Sequence, residues 1–130
     1  MSRIIAGAAG GTTLTSVPGS STRPTTDRVK EALFSRLESY GILDGAYVLD
    51  LFAGSGSLGV ESASRGAARV DLVELAEKAA QVCRGNASLV NKILGSERVR
   101  VHRTKAESYL LRVPPGLVWD LVFLDPPYPL

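Results

Sequence analysis

Between Val48 and Gly59 the chain reads Val-Leu-Asp-Leu-Phe-Ala-Gly-Ser-Gly-Ser-Leu-Gly, and few folds can hold such a stretch. An apolar run carries a carboxylate, Asp50, close to its end, then reaches glycines at Gly54 and Gly56 and a third at Gly59. The pattern predicts a strand over 47–51, a tight turn, and a helix over 57–65 that Gly66 stops. Glycine tolerates a positive φ and carries no Cβ, so a turn of this kind lets backbone approach a ligand closely.

The remainder of the chain repeats the alternation. Arg69 to Glu74 reads as a second strand, again ending in a carboxylate, and Ala76 to about Leu94 as a helix weakened in its middle by Gly85 and Asn86 and broken at Ser96. Val99 and Val101, interleaved with basic residues, give a third strand, 107–112 a short helix, and Val118 to Leu124 a fourth strand. Upstream, apolar residues at helical spacing predict a helix over 27–40, with Thr25 or Thr26 as N-cap, Gly41 as stop, and Arg28 and Lys30 on a solvated face. Arg3 to Ala9 and Thr12 to Val17 are β-prone runs around Gly10-Gly11, which suits a two-residue hairpin turn. The expected organisation is therefore a hairpin and linker over 1–22 followed by a ligand-binding domain over 23–130. Its fold class is α/β, with a mostly parallel sheet and helices on both faces. Ligands of such sheets bind at the carboxyl ends of the strands, where Asp50, Glu74 and Asp125 all fall.

Composition excludes little beyond the extremes. A hydrophobic share of 45% and a charged share of 22% are those of a folded domain, not of a disordered tract or a membrane bundle. A net charge of +2 permits a nucleic-acid partner without demanding one. Cys83 is the single cysteine, so it has no disulfide partner; it reads as a small buried hydrophobe, and no metal site is expected. The apolar run from Ile4 to Ala9 is too short for a signal peptide or a span, so a cytoplasmic protein without a membrane partner is expected.

Gly54-Ser55-Gly56-Ser57-Leu58-Gly59 satisfies the dinucleotide pattern, with Glu74 about 20 residues further on to take ribose hydroxyls. Asp50 points elsewhere. A carboxylate just before the loop repels a diphosphate and attracts a cation, and S-adenosylmethionine (SAM) has no phosphate but carries a sulfonium and an ammonium group. A nicotinamide-dependent oxidoreductase is the competing reading. Asp125-Pro126-Pro127-Tyr128 is more specific. An exocyclic amine on a base has its lone pair delocalised into the ring, and acceptors for its N–H bonds favour pyramidalisation and aim that lone pair. The Asp125 carboxylate and Pro126 carbonyl supply two such acceptors, the imino acids stiffen the backbone, and Tyr128 can stack on the base.

With Asp-Leu-Phe-Ala-Gly-Ser-Gly after one strand and Asp-Pro-Pro-Tyr after another, the chain resembles the SAM-dependent amino-methyltransferases of nucleic acids. Arg23-Pro-Thr-Thr-Asp-Arg-Val-Lys-Glu-Ala-Leu-Phe and the preceding Arg-Ile-Ile-Ala-Gly make it similar to the RsmD family of bacterial small-subunit ribosomal RNA guanine-N2 methyltransferases. The resemblance implies a Rossmann-like methyltransferase sheet, SAM as cofactor, and ribosomal RNA or a partly assembled 30S subunit as partner. It assigns the SAM loop to Asp50, Gly54 and Gly56, with Phe52, Ala53 and Ser55 counted alongside. Glu74 goes to the ribose, with Leu75 counted among the cofactor-binding residues, Ala106 to the adenine edge, and Asp125 to the cofactor and the target amine together. Pro126, Pro127 and Tyr128 complete the target-amine group, and Arg23, Thr25, Arg28 and Tyr128 face the RNA. The family usually has an Asp or Asn acceptor where this chain has Lys105, and a basic hairpin turn where it has Gly10-Gly11-Thr12-Thr13. A sheet of this kind has seven strands, by resemblance, and the apolar character of the fourth strand predicts neighbours on both sides. The chain is thus expected to lack the last strands of its sheet. A module that keeps the fold for RNA binding or assembly without catalysis is the remaining alternative.

Overall fold

The structure, a computed structural model, describes residues 2–18 and 26–126. Two short strands, β1 (Ser2–Arg3) and β2 (Thr13–Leu14), pair antiparallel. They are followed by α1 (Asp27–Ser39), β3 (Tyr47–Asp50), α2 (Ser57–Ser64), β4 (Arg69–Val73), α3 (Glu77–Leu94), β5 (Val99–His102), α4 (Ala106–Arg112) and β6 (Leu121–Phe123). The last four strands form one parallel sheet in the order β5-β4-β3-β6, with Leu49 beside Asp71 and Val122. The expected α/β architecture is present.

Parallel strands need faces covered on both sides, and the two faces here are covered unequally. Val48, Val70, Leu72 and Phe123 pack on one face with Phe34, Val60, Cys83 and Val90 from the three longer helices. On the other, Leu49, Leu51 and Val73 meet Phe52, Ala106, Tyr109 and Trp119. Gly59 sets how close α2 lies to the sheet. A Cβ there would sit 2.2 Å from Leu72 Cδ2, so the third glycine of the motif serves helix packing.

Several expectations change. The N-terminal hairpin forms, but its regular pairing covers only two residues a strand. Residues between them turn their amides to α2 instead: Ile5 and Ala6 donate to the Glu61 carboxylate at 2.9 and 3.1 Å, and Ala9 to Ser64 Oγ at 2.9 Å. The tight position is Gly7, with φ +86 and a would-be Cβ 2.0 Å from the Ser64 carbonyl oxygen. The turn is therefore wider than Gly10-Gly11. Helix α3 runs unbroken through Gly85 and Asn86 to Gly95, whose φ of +74 ends it.

The last strand is shorter than the predicted 118–124. Trp119 donates its indole N–H to Asp71 at 3.4 Å, and Asp120 accepts from the Tyr47 amide at 2.9 Å and donates its own to the Tyr47 carbonyl at 2.8 Å. Asp120 is thus fastened to the start of β3 by one backbone and one side-chain bond, and regular pairing begins only at Leu121. Among the described residues β6 pairs with β3 alone, and Val122 and Leu124 are 48% and 66% exposed.

Lys30 is not on a solvated face. Its side chain is fully buried, as is Glu61, and its ammonium donates to the Arg3 carbonyl 3.7 Å from Glu61 Oε1. Arg65 Nε donates to Glu61 at 2.8 Å, while its outer nitrogens reach Glu38 and Glu31 and its guanidinium covers the Phe34 ring. Burial pulls the Lys30 ammonium below the usual lysine range, against the opposing pull of Glu61 and Asp27. Removing one partner of such a group strands the others without water. Glu61→Ala is expected to cost roughly 3–5 kcal/mol. Urea unfolding measures it, and a loss below about 1 kcal/mol would show that water replaces the carboxylate.

Candidate active site

The loop after β3 is built by its own backbone and by β4. Ala53 N–H donates to the Val73 carbonyl at 3.0 Å, which folds the loop over the end of the neighbouring strand. Gly54 has φ +58 and Gly56 φ +84, values that L side chains rarely adopt. The two glycines differ in what surrounds them. A Cβ at Gly56 would meet Cys83 Sγ at 2.9 Å and Leu72 Cδ1 at 3.0 Å, whereas one at Gly54 would meet nothing within 4 Å. Gly56 therefore lets the loop sit down on α3, and Gly54 leaves open space on the ligand side.

Three carboxylates gather at this edge. Asp50 is 2% exposed and accepts from the Phe52 amide at 3.2 Å. Burial, foremost, pushes its pKa up to about 7; the Phe52 hydrogen bond works against this, and the charges of Glu74 and Asp125 add to it. Glu74 accepts from the Gly54 amide at 2.8 Å through one oxygen and from the Ala76 amide at 3.0 Å through the other. Each oxygen keeps a lone pair for a further donor. Asp125 is exposed two residues beyond β6, and Pro126 beside it is half-buried. Cys83, beneath the loop, is fully buried, and burial, with the charges of Asp50 and Glu74, pushes its thiol up to about 12. It contributes shape and no thiolate.

Other predicted positions lie nearby or elsewhere. Ser55 offers its carbonyl to the side chain of Asn86 at 2.9 Å. Leu75 is 53% exposed, and its carbonyl accepts from Arg103 Nε at 3.3 Å. Ala106 opens α4 and, like Phe52, packs against the Leu49, Leu51 and Val73 cluster on the thinly covered face. Lys105 is the N-cap of α4 and makes no side-chain cap bond, so the residue that departs from the family's acceptor also leaves the helix start uncapped. Arg28 is exposed on α1, whose anchors are Lys30 and Phe34. Arg23, Thr25, Pro127 and Tyr128 lie outside the described residues.

Asn86 is the residue that sequence reasoning missed. Fully enclosed in α3, it accepts from the Thr15 amide and donates to the carbonyls of Thr15 and Ser55, each at 2.9 Å. One side chain thus joins the end of β2 to the glycine loop. The signal was present: Asn86 sits on the stripe of Ala79, Cys83, Ala87 and Val90, where a polar residue at a core position needs partners.

As a receptor, the site suits a cation flanked by a diol. A buried, partly neutralised carboxylate gains its full charge when a positive group arrives, and Glu74 is held ready by two amides. The residues present therefore fit SAM. Among the described residues no group of three metal-ligating side chains is found, and no helix is long and apolar enough to cross a membrane.

The family model described as conserved hypothetical protein 95 matches residues 2–130. YlbH of Bacillus subtilis is 40% identical over 127 residues, which are 97% of this chain and 66% of that protein. Ribosomal RNA small subunit methyltransferase D of Haemophilus influenzae is 39% identical over 126 residues, 97% of this chain and 63% of that protein. Among solved structures, yhhF of Escherichia coli superposes with a TM-score of 0.79 at 38% identity, covering 98% of this chain and 64% of the other. The chain spans about two thirds of the length of these relatives. By the family match over residues 2–130 and these identities, the chain belongs to the conserved hypothetical protein 95 family, the RsmD family that includes ribosomal RNA small subunit methyltransferase D.

Proposed function

We propose that this protein transfers the methyl group of S-adenosylmethionine to the exocyclic N2 amine of a guanine in small-subunit ribosomal RNA, in the cytoplasm, on free RNA or on a partly assembled 30S subunit. The observation that carries the reading is the buried Asp50 carboxylate beside a glycine loop, with Glu74 and Asp125 at the same sheet edge. A diphosphate cofactor is disfavoured there by charge, and a sulfonium with an ammonium group is favoured. When bound, SAM supplies an electrophilic methyl group.

The chain's own residues do the rest. Gly54 and Gly56 bring backbone to the cofactor, Asp50 faces its positive end, and Glu74 takes its ribose hydroxyls while still holding the Gly54 and Ala76 amides. Asp125 and the Pro126 carbonyl accept the two N–H bonds of the target amine and turn its lone pair toward the methyl group. With SAM bound, Asp125 would take the surplus proton of the amine as the methyl group exchanges its bond to the sulfonium sulfur for one to nitrogen, leaving neutral S-adenosylhomocysteine. The family resemblance assigns Tyr128 to stacking on the turned-out base and Arg23, Thr25 and Arg28 to contact with the RNA.

The first test is ligand choice: equilibrium titration is expected to show SAM bound and NADH not, and the reverse would return the oxidoreductase reading. The second is Asp125→Ala, which should abolish methyl transfer from labelled SAM to immature small subunits by at least about a hundredfold, in the range of a lost general base, with SAM affinity retained. Retained transfer would remove Asp125 from the chemistry.

Asp50 adds a pH dependence with a definite sign. Its folded pKa of about 7 lies above the usual 3.8, so the ligand-free fold binds the extra proton between those values and loses stability as pH rises through that window. SAM affinity should move the opposite way, rising up to pH 7 as the carboxylate ionises. Asp50→Asn is expected to flatten both profiles, read by urea unfolding and by SAM titration. Profiles unchanged by the substitution would place the ionisation on another group.

A further inference from the structure

The small net charge conceals a strong asymmetry. From Glu77 to Arg112 the chain carries eight Lys or Arg against three Glu, while the rest carries seven against ten. Among the described residues none of these eight cations is in an ion pair, whereas Arg3, Lys30, Arg65 and Arg69 all are. Arg84 and Lys92 lie beside β5, and Arg98, Arg100, Arg103 and Lys105 on it or next to it in sequence; among the described residues β5 is an edge strand of the sheet. Val99 and Val101 turn to the α3 side, where a groove of about 560 Å³ lined by Arg84, Ser88, Asn91, Lys92 and Ser96 runs beside them, with Glu97 its one acidic residue. Arg100, alternating with the valines, projects to the opposite face, while Arg98 precedes the strand with its Nε donating to Ser96 Oγ at the groove's end at 3.0 Å. Arg103 and Lys105 continue the line to the rim of the site after β5.

We propose that this edge is the track for the ribose-phosphate backbone of the RNA that flanks the target base; the proposal rests on the methyltransferase reading for its choice of RNA. From Arg98 to Arg103 the strand extends about 16 Å, long enough to meet several successive phosphates. Arginine forks and the amide and hydroxyl donors of the groove suit phosphate oxygens. A protein strand adding to this edge is opposed by Asn91, which already occupies the outward N–H and carbonyl of Val99 at 3.0 and 2.9 Å. The groove also lacks the aromatic anchors of a protein interface.

The test is a fourfold variant, Arg84→Gln, Lys92→Gln, Arg98→Gln and Arg100→Gln, in the full chain, with far-UV circular dichroism to check folding. Binding of a fluorescein-labelled RNA stem-loop is expected to weaken by about ten-fold or more, and the slope of log affinity against log salt to shrink by about three. SAM affinity should stay at the parent value. RNA affinity and salt slope equal to the parent's would overturn the track, as would a poly-glutamate peptide that depends on these cations while the RNA does not. A parent chain that binds RNA through them yet takes no SAM would refute the proposed reaction and leave the track standing.

Discussion

One carboxylate, Glu61, holds together parts of the chain that regular secondary structure does not join. Its two oxygens accept from the amides of Ile5 and Ala6 and from Arg65, with the Lys30 ammonium close by. The N-terminal segment would otherwise carry buried donors with no strand opposite them, a cost a short hairpin cannot offset. Helix α1 is fixed by the same group through Lys30, and by Arg65, which reaches Glu31 and Glu38 on it. A buried anion of this kind adds little net stability by itself, because desolvation opposes its attraction to the cations. Its effect is positional: few other arrangements of these segments leave every polar group partnered.

A second polar group does similar work on the opposite face. Asp71 is fully buried on β4 and gathers His102, Arg69 and Trp119 around its oxygens. These partners hold its carboxyl below the usual aspartate range, against the burial that pushes it up. The same indole bond fastens Trp119, just ahead of the last strand, to the interior of the sheet. Stability and topology are thus linked through a residue inside the sheet, and α4 with Tyr109 packs over the result.

The separation of roles explains what could be read from the residues. Asp50, Glu74 and Asp125 were legible because each follows an apolar run, and strand ends in a parallel sheet share one edge. The glycine spacing was legible because the backbone values at Gly54 and Gly56 admit few other residues. Lys30 and Glu61 were not, since a charge on a helix reads as solvated unless its partner is known, and Lys30 and Glu61 are on different helices. Trp119 and Asp71 lie farther apart still, 48 positions, so their bond gave no local sign. Asn86 was the intermediate case, visible in the apolar stripe of α3 and passed over as a weak helix former.

The glycine loop is therefore held from three directions, each with a different physical origin. Gly56 packs it against Cys83 and Leu72 by steric fit, Asn86 fastens its Ser55 carbonyl, and Glu74 its Gly54 amide. Steric fit resists compression, while the two hydrogen bonds resist lifting. A loop so fixed loses little entropy when a ligand arrives, which favours binding through preorganisation. Asp50 is the exception to this economy. Its burial costs the ligand-free fold stability near neutral pH, and a cation recovers that cost on binding, so the least comfortable residue of the empty site is the one that most favours its being filled.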